Sequence, residues 1–105
     1  MPAVARAAGT DRVLSRTGSG TACGSPLQTT TGVNGSPNVF VNGIAVVRQS
    51  DVVGVHPAAG CSTDASTLST YSSTVFVNGL GLGRIGDEYT SDNIIISGST
   101  NVFAG

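Results

Sequence analysis

The chain has 105 residues, a formal net charge of −1 and only 10% charged side chains, with five Arg and no Lys. That length allows one domain, residues 1–105, with a small core, because three Phe, two Tyr and no Trp are available to fill it. Such a charge balance leaves no electrostatic footprint for nucleic acid, and no run of 18 apolar residues or basic, apolar leader stands in the sequence.

Fifteen Gly, many Ser and Thr, and short apolar runs predict an all-β chain with little helix. Taken in order, residues 2–6 read as a strand, and residues 7–34 as mostly loop carrying Arg12, Arg16 and Cys23. Residues 37–48 read as a complete hairpin. Asp51 to Leu68 is a connector holding the single His in His56-Pro57-Ala58-Ala59-Gly60-Cys61, and Pro57 forces His56 into extended backbone. Residues 74–84 form a second hairpin, Asp87 to Asn93 a shorter connector, and Ile94-Ile95-Ile96 a strand.

The chain repeats itself, and repeats organise the reading of everything else. Gly35-Ser36-Pro37-Asn38-Val39-Phe40-Val41-Asn42-Gly43 returns as Tyr71-Ser72-Ser73-Thr74-Val75-Phe76-Val77-Asn78-Gly79 and as Gly98-Ser99-Thr100-Asn101-Val102-Phe103-Ala104-Gly105. An apolar run closed by Asn-Gly is a strong signal for a two-residue type I′ hairpin. The register pairs Val41 with Ile44, Phe40 with Ala45 and Val39 with Val46, then Val77 with Leu80, Phe76 with Gly81 and Val75 with Leu82. Each Phe then meets a small residue, and the three Phe are expected in the core. For the third copy the return strand is expected at the other end of the chain, in Pro2-Ala3-Val4-Ala5-Arg6, with Phe103 facing Ala3 and Met1 beside Gly105. Each return strand ends in Arg followed by an acidic residue: Arg48 and Asp51, Arg84 and Asp87, and more loosely Arg6 and Asp11. Arg48 and Arg84 are expected to fix turns or to form surface pairs worth little energy singly.

Superposed, the repeats set His56 five residues after Asp51 and Asp92 five residues after Asp87, while Cys61 follows His56 by five and Cys23 lies in the remaining connector. Three loops leaving the hairpins on one side would bring Cys23, His56, Cys61 and Asp92 together, and thiolate, imidazole and carboxylate are all zinc ligands. In a reducing cytosol, where the chain is expected to be made and assembled, the two Cys favour thiols or metal over a disulfide. A hydrogen-bonded His with two buried thiols, and Asp64, Asp51 or a water as fourth ligand, stand beside this reading. A hydrolase with a Cys nucleophile, His56 as base and Asp92 as its orienter uses the same residues but lacks an evident substrate groove.

The repeated Gly-Ser-Pro-Asn-Val-Phe-Val-Asn-Gly, with a return strand ending in Arg-x-(Gly/Ser)-Asp, resembles the PAAR-repeat family over nearly the whole chain. That resemblance implies a small pseudo-threefold cone of three β-hairpins with converging loops. It implies a non-enzymatic tip of the membrane-piercing central spike of a contractile injection machine, either a phage tail baseplate or a type VI secretion system. The implied partner is a trimeric VgrG-like or phage-type β-helical spike, one tip per trimer, with transient contact with the target envelope and no membrane anchor. The implied cofactor is a structural zinc, with iron open, held by Cys23, His56 and Cys61. Two departures stand out: Glu88-Tyr89-Thr90-Ser91-Asp92 lacks the expected Cys or His, leaving Asp92 as candidate fourth ligand, and Ala45-Val46-Val47-Arg48 and Gly81-Leu82-Gly83-Arg84 replace Pro-Ala-Ala-Arg. No further domain is expected, which points to a bare tip of phage type. A receptor-binding or decoration module of a virion is the alternative that repeated hairpins would also serve; it predicts exposed aromatics.

Overall fold

The computed structural model describes residues 1–15, 28–54, 65–90 and 93–105. Among these the secondary structure is all β, with seven short strands and no helix: β1 (Arg12–Ser15), β2 (Gln28–Thr30), β3 (Phe40–Val41), β4 (Ile44–Ala45), β5 (Phe76–Val77), β6 (Leu80–Gly81) and β7 (Asn93–Ile95). They form three antiparallel sheets of order β2-β1-β7, β3-β4 and β5-β6.

The two hairpins have the register expected from sequence. Phe40 pairs with Ala45 and Val41 with Ile44, and Phe76 pairs with Gly81 and Val77 with Leu80. Asn42 and Gly43 have φ of 55° and 76°, and Asn78 and Gly79 have 55° and 77°, the two positive values that a type I′ turn requires. The third hairpin closes through the termini: Ala3 bridges Phe103, Val4 N–H donates to Val102 O at 3.0 Å, and Ala104 N–H donates to Pro2 O at 3.0 Å.

Joining the hairpins is a set of backbone bonds in which every link occurs three times. Val47 donates to Ala5 O (3.1 Å), Ala5 to Gly83 O (3.0 Å) and Gly83 to Val47 O (2.9 Å), so one residue of each return segment forms a closed triangle. Around it, Ala7 donates to Ala45 O, Gln49 to Gly81 O and Ile85 to Ala3 O. Each repeat thus satisfies the outer edge of its neighbour, and no return strand is left as an open template.

Beyond the triangle each chain segment turns at the Arg-Asp motif and enters a second circuit. β1 pairs with β2 and β7; bridges Thr31–Val53, Val52–Thr67, Leu68–Tyr89 and Glu88–Ile94 complete the circle. Six short antiparallel segments therefore close on themselves. Each contributes one inward side chain, Val13, Thr31, Val53, Leu68, Tyr89 and Ile95, all buried. Val13, Val53, Leu68, Tyr89 and Ile95 belong to one apolar cluster with Ala5, Ala7 and Val47, and a second cluster under the hairpins holds Val4, Val46, Val77, Leu82 and Ala104.

Within residues 7–34, expected to be mostly loop, Arg12–Ser15 and Gln28–Thr30 are strands, and residues 16–27 lie outside the described residues. These strands carry no repeat of the hairpin motif, and they pair because the circuit supplies partners on both sides. One expectation needs correction: the three Phe are not core residues, since Phe40, Phe76 and Phe103 are 57%, 60% and 50% exposed. In each Val-Phe-Val or Val-Phe-Ala run the pleat can bury the flanking residues or the Phe; Val75 with Val77 and Val102 with Ala104 join the cluster of Val46, Leu82 and Val4, as does Val41 from the first repeat, where Val39 stays 37% exposed. The space at Gly81 is taken from across the sheet by Tyr71, whose Cδ1 would lie 1.9 Å from a Cβ placed there.

Candidate functional site

One end of the molecule is built from the repeated motif. In each copy the Ser hydroxyl accepts the backbone N–H three residues on: Val39 to Ser36 Oγ (2.9 Å), Val75 to Ser72 Oγ (2.9 Å), Val102 to Ser99 Oγ (3.0 Å). This local ST-turn aims the incoming strand at its own hairpin. The same hydroxyl then donates outward to the next repeat. Ser36 Oγ reaches Asn78 Oδ1 and Ser99 Oγ reaches Asn42 Oδ1, both at 2.7 Å, while Ser72 Oγ donates to the carbonyl of Gly105. Gly105 therefore stands where the other copies place an Asn side chain.

Three matched seams result, and beside each is an exposed Phe. Residues 36–45, 72–81 and 98–105 contain no ionisable side chain, so this end presents apolar rings among neutral amides and hydroxyls. The Arg6 and Arg48 guanidinium groups border this end at Asn42 and Asn78, and large exposed rings at matched places on a surface whose own motif is neutral have the composition of a protein-docking face. Sequence periodicity located these residues; it did not reveal which face of the pleat they occupy.

The Arg-Asp motifs separate this end from the six-segment circuit. In each, the carboxylate accepts the Arg backbone N–H, at 2.6 Å for Arg6 to Asp11 and at 2.8 Å for Arg48 to Asp51 and Arg84 to Asp87. The guanidinium adds Nε and Nη2 bonds to the same carboxylate. Hydrogen bonding to the carboxylate raises the Arg6 and Arg84 pKa, against a smaller opposing effect of burial. Ser50 and Gly86 occupy the third place of their turns with φ of 72° and 90°; this conformation accounts for the Gly of the second motif, and Ser50 adopts it with a side chain present. The turns are fixed as expected, and the buried carboxylates Asp11, Asp51 and Asp87 serve them.

The other end bears on the metal expectation. Segments leaving the Asp residues run one way round the circuit, and the segments pairing with them run back, so residues 15 and 28, 54 and 65, and 90 and 93 lie at the same end. All three connectors are therefore rooted together, opposite the hairpin turns. Cys23, His56, Cys61 and Asp92 lie outside the described residues, as do the alternative ligand Asp64 and the proposed nucleophile-base arrangement. Asp51 is within the described residues and engaged by Arg48. Among the described residues no group of three His, Cys, Asp or Glu side chains comes together. Near the connector roots Asn93 is buried and donates Nδ2–H to Ser66 Oγ at 3.3 Å.

A groove of about 410 Å³ is lined, among the described residues, by Gly9, residues 30–34 and residues 52–54, none of which is His, Cys, Asp or Glu. Among the described residues no helix is long and apolar enough to cross a membrane. No protein-family model and no curated protein matches the chain.

Proposed function

We propose that this protein is a non-enzymatic spike tip of a contractile injection machine, a pseudo-threefold cone that caps a trimeric β-helical spike. The observation that carries this reading is the threefold recurrence of the inter-repeat bonds, with Phe40, Phe76 and Phe103 exposed beside matched seams. One chain with three matched surfaces can seat on a threefold partner without leaving two of its sites unmatched. The PAAR-like repeats supply the link from this geometry to a spike, in a phage baseplate or a type VI secretion system.

At the opposite end the donor chemistry fits zinc. Cys23, His56, Cys61 and Asp92 would supply two thiolates, an imidazole and a carboxylate, from connectors whose roots share one end of the circuit. A bound zinc would cross-link three connectors and stiffen the leading point; no turnover is required of it.

Native mass spectrometry with a trimeric β-helical spike tests the docking. One tip per trimer is expected, with loss of the complex when all three Phe become Ala. Elemental analysis of the wild type and of His56→Ala tests the metal, with one zinc expected in the former and less in the latter. The exposed Phe also suit the second reading, a receptor-binding or decoration module, which would bind a virion or cell surface and ignore the spike.

A further inference from the structure

Of the three Asn-Gly pairs, Asn34-Gly35, Asn42-Gly43 and Asn78-Gly79, the latter two form the hairpin turns and carry a chemistry that docking does not use. In an open Asn-Gly segment the glycine backbone nitrogen attacks the asparagine Cγ. A nitrogen–carbon bond forms, and the side-chain amide leaves as ammonia with the proton lost by the glycine nitrogen. One water then opens the five-membered succinimide to Asp or isoAsp. Glycine hinders this attack least of all residues, and here a Cβ placed at Gly43 or Gly79 would meet nothing within 4 Å. Steric shielding therefore does not protect either turn.

Hydrogen bonds from another repeat do. Asn42 Oδ1 accepts from Ser99 Oγ at 2.7 Å and from Arg6 Nη1 at 3.4 Å, while its Nδ2 donates to Asn101 Oδ1 at 2.9 Å. Asn78 Oδ1 accepts from Ser36 Oγ at 2.7 Å and from Arg48 Nη1 at 3.2 Å, while its Nδ2 donates to Asn38 Oδ1 at 2.8 Å. Both amide atoms of both residues are held, so Cγ cannot swing toward the following nitrogen and the leaving group is tied to a neighbour.

We infer that Asn42 and Asn78 are latent deamidation sites, each kept silent by side chains of a different repeat. The locks run cyclically: the third repeat guards the turn of the first, and the first guards the turn of the second. Opening a seam exposes its turn to reaction, and the reaction then holds the seam open. IsoAsp adds a carbon to the backbone of a two-residue turn and destroys its register. Asp sets a carboxylate oxygen against the Asn101 or Asn38 carbonyl oxygen that previously accepted an N–H.

The test is peptide mapping by mass spectrometry after incubation of the full chain at mildly alkaline pH. The wild type is compared with Asn101→Ala, Asn38→Ala and the guanidinium-unfolded chain. Both sites should react far more slowly in the folded wild type than in the unfolded chain. Asn101→Ala should speed reaction at Asn42 by about tenfold and leave Asn78 unchanged, and Asn38→Ala should do the reverse, as expected when one local opening is made easier. Asn101→Asp keeps an acceptor oxygen at this place and should keep Asn42 protected, which separates the lock from general loosening. Wild-type reaction at the unfolded rate, or faster reaction at Asn42 rather than Asn78 in Asn38→Ala, would overturn the inference.

Discussion

The hairpin end and the six-segment circuit obey the same threefold pattern, yet only the hairpin end spells it in its sequence. At the hairpins, Ser36, Ser72 and Ser99 make the same bonds in near-identical motifs. In the circuit, Val13, Val53 and Tyr89 hold equivalent inward places after Asp11, Asp51 and Asp87, and Thr31, Leu68 and Ile95 face them. A valine and a tyrosine can share a role there because backbone pairing fixes the frame and the side chain needs only to fill volume. Turn chemistry tolerates less: a positive φ, a capping hydroxyl and a buried carboxylate each admit few residue types.

The sharpest break in that frame should come from the carboxylate at the junction of the two regions. Asp11 is 1% exposed and accepts from the Arg6 backbone, Nε and Nη2 and from Ser97 Oγ. Asp11→Ala leaves these donors without their acceptor, and the partly exposed guanidinium recovers some solvation. A loss of about 3 kcal/mol is expected in urea unfolding. A loss below about 1 kcal/mol would mean that the hairpins and circuit stand independently of this junction.

Gly81→Ala tests a place where the second repeat differs in packing from the first, which has Ala45. The new methyl collides with the Tyr71 ring, and overpacking of this kind costs about 2 kcal/mol. The double variant with Tyr71→Ala should not show that added cost. An equal penalty in both backgrounds would place the strain in the backbone instead.

The hairpin registers, the Ala3–Phe103 closure and the Arg-Asp turns were legible because each rests on local rules: a two-residue turn sets its own pairing, and period two does the rest. Strands β1 and β2 were not legible, since Arg12–Ser15 and Gln28–Thr30 have little apolar alternation and owe their pairing to neighbours distant in sequence. The Phe placement failed for another reason. Alternation distinguishes two faces and does not say which is inside, and Val75, Val77 and Leu82 together outweigh Phe76. For the metal, sequence equivalence named four ligands on three connectors, and the described strands add that those connectors start from one end.

Phe76→Ala sharpens the contrast between stability and docking. For a side chain 60% exposed, the loss of stability should stay below about 1 kcal/mol. Under the proposed function, affinity for a trimeric spike should fall by much more, because a ring buried on binding would act as an anchor. The reverse outcome, a destabilised chain with unchanged docking, would return the Phe to the core and remove the docking face.

The smallest effect at neutral pH is expected at Tyr89, where the circuit places a tyrosine at a position held elsewhere by valine. The residue is 2% exposed, and among the described residues its buried hydroxyl has no hydrogen-bond partner. Burial, with a smaller contribution from Asp51, raises the phenol pKa. The sign follows from linkage: above the unfolded value of about 10 the unfolded chain releases a proton that the folded chain keeps, so deprotonation favours unfolding and stability falls as pH rises. Below that value the contribution is intact. Tyr89→Phe removes both the unpaired hydroxyl and the titration, and should stabilise the chain by about 1 kcal/mol at neutral pH while flattening the alkaline decline. Urea midpoints at neutral pH and above pH ~10 separate the two consequences. A variant that is weaker at neutral pH would mean that the hydroxyl is satisfied, and that the circuit uses this tyrosine for more than volume.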